Sequence, residues 1–237
     1  MLEIDLDIAR RFILGKQGLW PGRRWQGTAG TQQAMEAIEY LQLDPLQIIA
    51  RSHDIQLHSR VLDYQPDLWE EVAYKQRQFF DWGGWLATRP MAELPYWRVV
   101  MQRERDGHPD CDPRVRKNGR DHADTIAEMR TVLQELGTVN NRYFDMADRQ
   151  RMENYRGRKD SAVALYYLWR TGEVMTHHRE NFERVYALAE AIAPPHLLHE
   201  HSDEEVDRFL IKKEISFAGL SRLNRTSDGY QRGVPFS

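Results

Sequence analysis

The order of periodicities between residues 121 and 195 is the tightest constraint on how this chain can fold. "DHADTIAEMRTVLQELG" spaces Ile126, Met129, Val132, Leu133 and Leu136 along one helical face, and Gly137 suits a C-terminal cap. A short helix is expected around Asn141 to Asp148, then a basic loop, "RQRMENYRGRK". "DSAVALYYLWRTGEV" turns Val163, Ala164, Tyr167 and Leu168 inward and closes at Gly172. In "GEVMTHHRENFERVYAL" the pattern becomes that of two short strands around a turn near Arg179-Glu180-Asn181. Helix, short helix, helix and hairpin is the order of a winged helix, in which the third helix usually enters the DNA major groove and the hairpin touches backbone or minor groove.

Upstream, a similar order recurs less cleanly. A helix over "DLDIARRFILGKQGL" stops at Trp20-Pro21-Gly22. A second, capped by Thr31, carries the stripe Ala34, Met35, Ile38 and Leu41. After "LQLDPL" a third helix is expected from roughly Ile48 to Leu62, and a fourth from Pro66-Asp67 to about Gln76. The aromatic-rich "RQFFDWGGWLATRP", with Gly83-Gly84 at its middle, predicts a hairpin. The fold class expected is therefore mainly α with short β-hairpins, arranged as tandem winged-helix modules. The boundaries follow composition. Residues 1–106 form the first module, 107–120 ("GHPDCDPRVRKNGR") a basic linker, 121–195 the second module, and 196–237 an acidic helix that could begin a third module, ending in an aperiodic tail.

Composition narrows the function classes. The 237 residues are 41% hydrophobic and 29% charged, as in a soluble globular protein. No apolar run is long enough to span a membrane, and the acid-bearing start is not a secretory signal. The single Cys111 excludes an intramolecular disulfide, so a reducing cytoplasm fits. His177 with His178, or His196, His199 and His201, lack the Cys or carboxylate partners of a zinc site. Neither a phosphate-cradling Gly-rich loop nor a Gly-x-Ser-x-Gly elbow is present. No metal or cofactor is expected. The net charge of −3 gives no global basic field, so any DNA contact must come from local patches.

The chemistry concentrates in "YLQLDPLQIIARSHDIQLHSR". Gln42 and Asp44 stand two apart at a helix-to-strand handover, so an amide and a carboxylate share one face with Leu43 turned away. Apolar neighbours would leave that carboxylate poorly solvated. The plain alternative is an Asp capping the helix that follows, with Pro45 just after it. This stretch resembles the signature of the YcaQ/AlkZ family of bacterial DNA glycosylases: Gln42-Leu43-Asp44, then Ile48-Ile49-Ala50-Arg51. "LYYLWRTGEVMTHHRENFERVYAL" resembles the family's second winged helix, with Gly172-Glu173 and Arg184-Val185-Tyr186. The aspartate form of the motif looks more like the YcaQ branch.

The resemblance implies tandem winged helices cradling double-stranded DNA. It also implies hydrolysis of the N-glycosidic bond of bulky N7-alkylated purines and unhooking of interstrand crosslinks. The expected setting is a cytoplasmic monomer, nucleoid-associated when bound to DNA. Two departures stand out. Gly84 occupies the place of a His found in members closest to YcaQ. No β-rich region follows residue 195, so the C-terminal part of the family architecture is expected to be missing.

In such a reaction Asp44 would face an oxocarbenium-like sugar or take a proton from water, and Gln42 would hold the water or sugar. Arg51, His53 and Arg60 follow the motif and could contact phosphate or base, each against the alternative of a solvated helix face. Trp82 and Trp85 could stack on DNA, or be core aromatics of a hairpin. Residues 98–120 hold seven basic side chains against four acids. Arg149, Arg151, Arg156, Arg158 and Lys159 precede the expected recognition helix with one acid among them, where phosphate contacts belong. Two other readings stay open: a winged-helix DNA-binding protein without catalysis, and a truncated inactive family member.

Overall fold

Helices dominate, as the apolar periods require, and the strands are short. The computed structural model describes residues 4–84, 86–109, 111–142 and 160–220. It divides into two compact units: the described residues of Met1–Met91 and Asp203–Arg232, and those of Ala92–Ser202.

In the first unit, α1 (Leu6–Lys16) is capped by Asp5, whose carboxylate accepts from the Asp7 amide. A two-residue strand, β1 (Trp25–Gln26), leads into α2 (Gly27–Ile38), which buries Ala34, Met35 and Ile38. β2 (Leu41–Gln42) follows, then α3 (Ser52–His58), β3 (Val61–Leu62) paired parallel with β1, and α4 (Leu68–Glu70), which runs on as a π-helical turn over Glu71–Lys75. β4 (Phe79–Trp82) and β5 (Ala87–Pro90) form the hairpin expected from "FFDWGGWLATRP". The sheet order is β2-β5-β4. Its turn needs Gly83, which sits at φ +100°, and a Cβ there would meet the Arg89 guanidinium at 3.0 Å.

The helix Asp203–Ala218 belongs to this first unit. Its acidic beginning suggests the start of a third module and masks the residues that dock it. Glu39, at the C-terminal end of α2, accepts from Lys16 Nζ at 2.7 Å and Ser216 Oγ at 2.6 Å, and lies 3.6 Å from Lys213 Nζ. Phe217 meets Tyr40 edge-on, with centroids 5.8 Å apart. Both ends of the unit are thus tied to the two residues that immediately precede β2.

The second unit opens with α5 (Leu94–Asp106) and α6 (Pro113–Asp121). α6 occupies most of what was expected to be a linker. Its charges hid a helix that buries only Val115 on its inner side and starts on a good cap, the Asp112 carboxylate accepting from the Arg114 amide at 3.0 Å. Replacing Asp112 by alanine is expected to cost about 1 kcal/mol in a denaturant melt. The Arg114 side chain, beyond the penalty of burial, holds the Asp112 carboxyl below its ordinary value. This stabilisation is present above the unfolded-state pKa and is lost as pH falls through the depressed folded value, so the difference between parent and variant shrinks in acid.

α7 (Ala123–Leu136), β6 (Thr138–Asn140), α8 (Asp160–Arg170), β7 (Val174–Glu180), β8 (Glu183–Leu188) and α9 (Ala189–Ile192) follow among the described residues, and most of the short helix expected around Asn141 to Asp148 lies outside them. The sheet order is β6-β8-β7, the same first-third-second order as in the first unit. Met129 and Leu133 of α7 and Leu165, Leu168 and Trp169 of α8 are its buried core. Each such side chain withdrawn from water contributes about 1.5–3 kcal/mol.

α8 departs from the role a third winged-helix helix usually has. The sequence reading turned one face inward, but Ser161, Leu165, Trp169 and Arg170 are buried too, and no described α8 side chain is fully exposed. α5 and α6 pack on it: Glu104 of α5 holds Arg170, and Gly119 of α6 lies against the Tyr167 ring. Asp160, Ala162, Tyr166 and Tyr167 are the α8 residues that keep partial exposure.

Candidate active site at an exposed sheet edge

β2 is the edge strand of its sheet. Leu41 pairs with Thr88 and Gln42 with Ala87, and the ladder continues as the Leu43 amide donates to the Leu86 carbonyl at 2.7 Å. Gln42 is exposed, Leu43 is buried and Asp44 is half-buried. That alternation is the one a pleated strand imposes, so amide and carboxylate leave the sheet on the side away from Leu43.

After Asp44 the chain does not enter a helix. Asp44 Oδ1 accepts from the Leu46 amide at 2.9 Å, closing a turn across Pro45, and α3 begins only at Ser52. Leu46, Ile48 and Ile49 are 74%, 97% and 90% exposed. The expectation of a carboxylate walled in by apolar neighbours therefore fails. Pro45 stops helical continuation from the strand, and the isoleucines taken for the inner face of a helix stand in solvent on a loop.

The other expected site residues separate into two groups. Arg51 is half-buried at the N-cap of α3, close enough to Asp54 for its charge to act on that carboxyl. His53 is fully buried and meets Trp69 edge-on at 5.0 Å, so it packs the core and presents no face to a phosphate. Arg60 is 6% exposed; its Nε donates to the Gln17 carbonyl at 2.6 Å and its Nη1 to the Gln56 carbonyl at 2.7 Å. Burial lowers its guanidinium pKa, and its donors hold backbone carbonyls in place of phosphate. Trp82 is buried on β4 with the Arg89 guanidinium 5.5 Å from its ring, the core alternative. Gly84 is exposed in the β4–β5 turn.

Trp85, Arg149, Arg151, Arg156, Arg158 and Lys159 lie outside the described residues. Of the basic side chains over 98–120, Arg98 pairs with Glu200, Arg105 with Asp106 and Arg114 with Asp112, so much of that charge is already answered. Among the described residues no group of three His, Cys, Asp or Glu could hold a metal ion, and no helix is long and apolar enough to cross a membrane.

One carboxylate was passed over in the sequence. Burial raises the Asp54 carboxyl above its ordinary value, opposed by the Tyr64 hydroxyl, which donates to it at 2.9 Å, and by the charge of Arg51. A raised carboxyl in a cleft would suggest a proton donor. Here its bond to Tyr64 ties α3 to the loop that follows β3, which is a holding role. The only sequence signal was an acid in the first turn of a helix.

The comparisons with known proteins fall on this same stretch. The family model described as DNA glycosylase AlkZ-like matches residues 35–224, which include Gln42, Asp44 and the β7–β8 hairpin. Among solved structures, the Streptomyces sahachiroi DNA glycosylase AlkZ superposes with a TM-score of 0.61 at 14% identity, over 92% of this chain and 58% of that one. At such identity the likeness shows the fold, and the chain spans under two thirds of that relative's length. No curated protein matches. Because the family model spans well over half of the sequence and includes the Gln42–Asp44 edge, the chain belongs to the AlkZ-like DNA glycosylase family.

Proposed function

We propose that this chain hydrolyses the N-glycosidic bond of bulky N7-alkylated purines in double-stranded DNA and unhooks interstrand crosslinks, as a monomer without metal or cofactor. The observation that carries this reading is the placement of Gln42 and Asp44 side by side on an open sheet edge, inside the family match. An N7-alkylated purine is already a cationic leaving group, so the reaction needs no strong general acid. It needs a carboxylate to face the oxocarbenium-like sugar and a group to hold the attacking water. Asp44 supplies the first and Gln42 the second.

An open edge suits this chemistry. The carboxylate is half in water when free, and bound DNA would displace that water and strengthen the charge at the moment it is used. The α2, β2, α3, β3, α4 and β4–β5 order of the first unit, and the matching sheet order of the second, support reading both as winged helices. The half-buried Asp160, Ala162, Tyr166 and Tyr167 would leave α8 a narrow face toward DNA.

The test is base release from duplex DNA carrying N7-alkylguanine or a nitrogen-mustard crosslink. Free modified base and an alkali-labile abasic site are the expected products. Duplex bound without release of base would overturn the proposal in favour of a DNA-binding protein without catalysis.

A further inference from the structure

Resting on that reading, we infer that Ile48 and Ile49 form an apolar wedge that enters the base stack beside the lesion when the chain binds duplex DNA. With Leu46, these are the most exposed large hydrophobic side chains among the described residues, at 97%, 90% and 74%. They lie within four consecutive positions, on a loop fixed at both ends. On one side the Leu43 amide is in the β2–β5 ladder and Asp44 Oδ1 holds the Leu46 amide. On the other, α3 is anchored by the fully buried His53 and Leu57. The loop thus presents its apolar tip and does not fold it away. β-Branched side chains have stiff χ1 angles, so little freedom is lost when such a tip is inserted.

The occupant follows from what adjoins the tip. Ile48 stands four positions after Asp44, so their Cα atoms lie within about 14 Å. That is about four base steps at 3.4 Å each. The apolar part of DNA within that reach is the faces of the stacked bases. Aliphatic side chains that part a base step are a recurrent device of proteins that bend or open a duplex. Gln42 and Asp44 precede the tip and Arg51 follows it, so the isoleucines are a narrow apolar point between polar groups, unlike a broad protein-docking face. Parting the stack next to the modified purine would let the carboxylate approach the sugar while a crosslinked base stays tethered to the other strand.

The test uses duplexes with 2-aminopurine, which brightens when unstacked, next to an abasic-site analogue. The full chain and its Asp44→Asn variant are expected to raise the fluorescence. The double variant Ile48→Ser with Ile49→Ser is expected to bind undamaged duplex within about twofold of the parent, yet to give no rise and to release modified base about tenfold more slowly or worse. Ile48→Leu with Ile49→Leu should restore both signals. Because both side chains stand in solvent, melting temperatures should agree, which separates the effect from misfolding. Unchanged fluorescence and release in the serine variant would overturn the wedge. So would a parent that gives no rise, or a serine variant whose only change is conversion of a dimer to a monomer, which would make the tip a contact between copies. Failure of the glycosylase reading is distinct: the parent then releases no base, whatever the fluorescence.

Discussion

Asp44→Asn is expected to slow base release by about a thousandfold while leaving the loop around it in place. The two halves of that result come from two jobs done by one side chain. As an acceptor, Asp44 Oδ1 holds the Leu46 amide at 2.9 Å. An asparagine Oδ1 can do the same, so the turn across Pro45 survives. As a charge, the carboxylate stabilises a developing cation. One such pair at 4 Å with an effective dielectric near 20 amounts to about 4 kcal/mol. If it acts only in the transition state, that is roughly a thousandfold in rate. Asp44→Ala removes both jobs, so it should also expose the amides of residues 46–51 to faster hydrogen exchange and weaken DNA binding. Comparing the two variants by single-turnover base release and hydrogen exchange separates charge from scaffold. Retention of activity within tenfold of the parent in Asp44→Asn would remove the carboxylate from the mechanism and return Asp44 to a turn-closing role.

That same residue shows what was legible in the sequence and what was not. The period-two spacing of Gln42 and Asp44 put them on one side of a strand, because pleating is local and leaves few alternatives. The surroundings of Asp44 were not legible. The helix expected from Ile48 begins only at Ser52, and whether Ile48 and Ile49 face a core or solvent depends on contacts that lie elsewhere in the chain. The hairpins Phe79–Pro90 and Val174–Leu188 were legible from glycines, aromatics and alternation. α6 was not, since its charged sequence carries almost no apolar period and its helix depends on the Asp112 cap and the burial of Val115. His53 and Arg60 show the same limit for site residues: polar type suggested DNA, while burial against Trp69 and backbone carbonyls assigns them to the scaffold. Docking of the 203–218 helix on Glu39 and Tyr40 rests on contacts between residues far apart in sequence, which no local pattern announces.

Glu104→Ala is expected to destabilise the second unit strongly. Glu104 and Arg170 are both almost fully buried, and the guanidinium meets the carboxylate through two parallel bonds, Nε to Oε2 at 2.7 Å and Nη2 to Oε1. Burial by itself would lower the Arg170 pKa; the bonds and charge of Glu104 outweigh it and hold the guanidinium above its ordinary value. Without Glu104 that cation stays buried, with the Tyr166 hydroxyl 2.8 Å from Nη1. Removing one member of such a pair costs about 3–5 kcal/mol, against near neutrality when both are replaced by apolar groups of similar volume. For a protein of this size that is a fall in Tm of roughly 6–20 °C. The double variant Glu104→Met with Arg170→Leu should recover most of it, which a thermal melt of parent, single and double variants would reveal. The functional consequence is local: Arg170 ends α8 two residues before Gly172-Glu173, where the chain turns into the β7–β8 hairpin and Glu173 takes Arg130 in a second bidentate pair at 2.7 and 2.9 Å. Loosening α5 from α8 therefore loosens the base of the hairpin. A single variant as stable as the parent would mean that water reaches the pair, and that α8 is held by its apolar side chains alone.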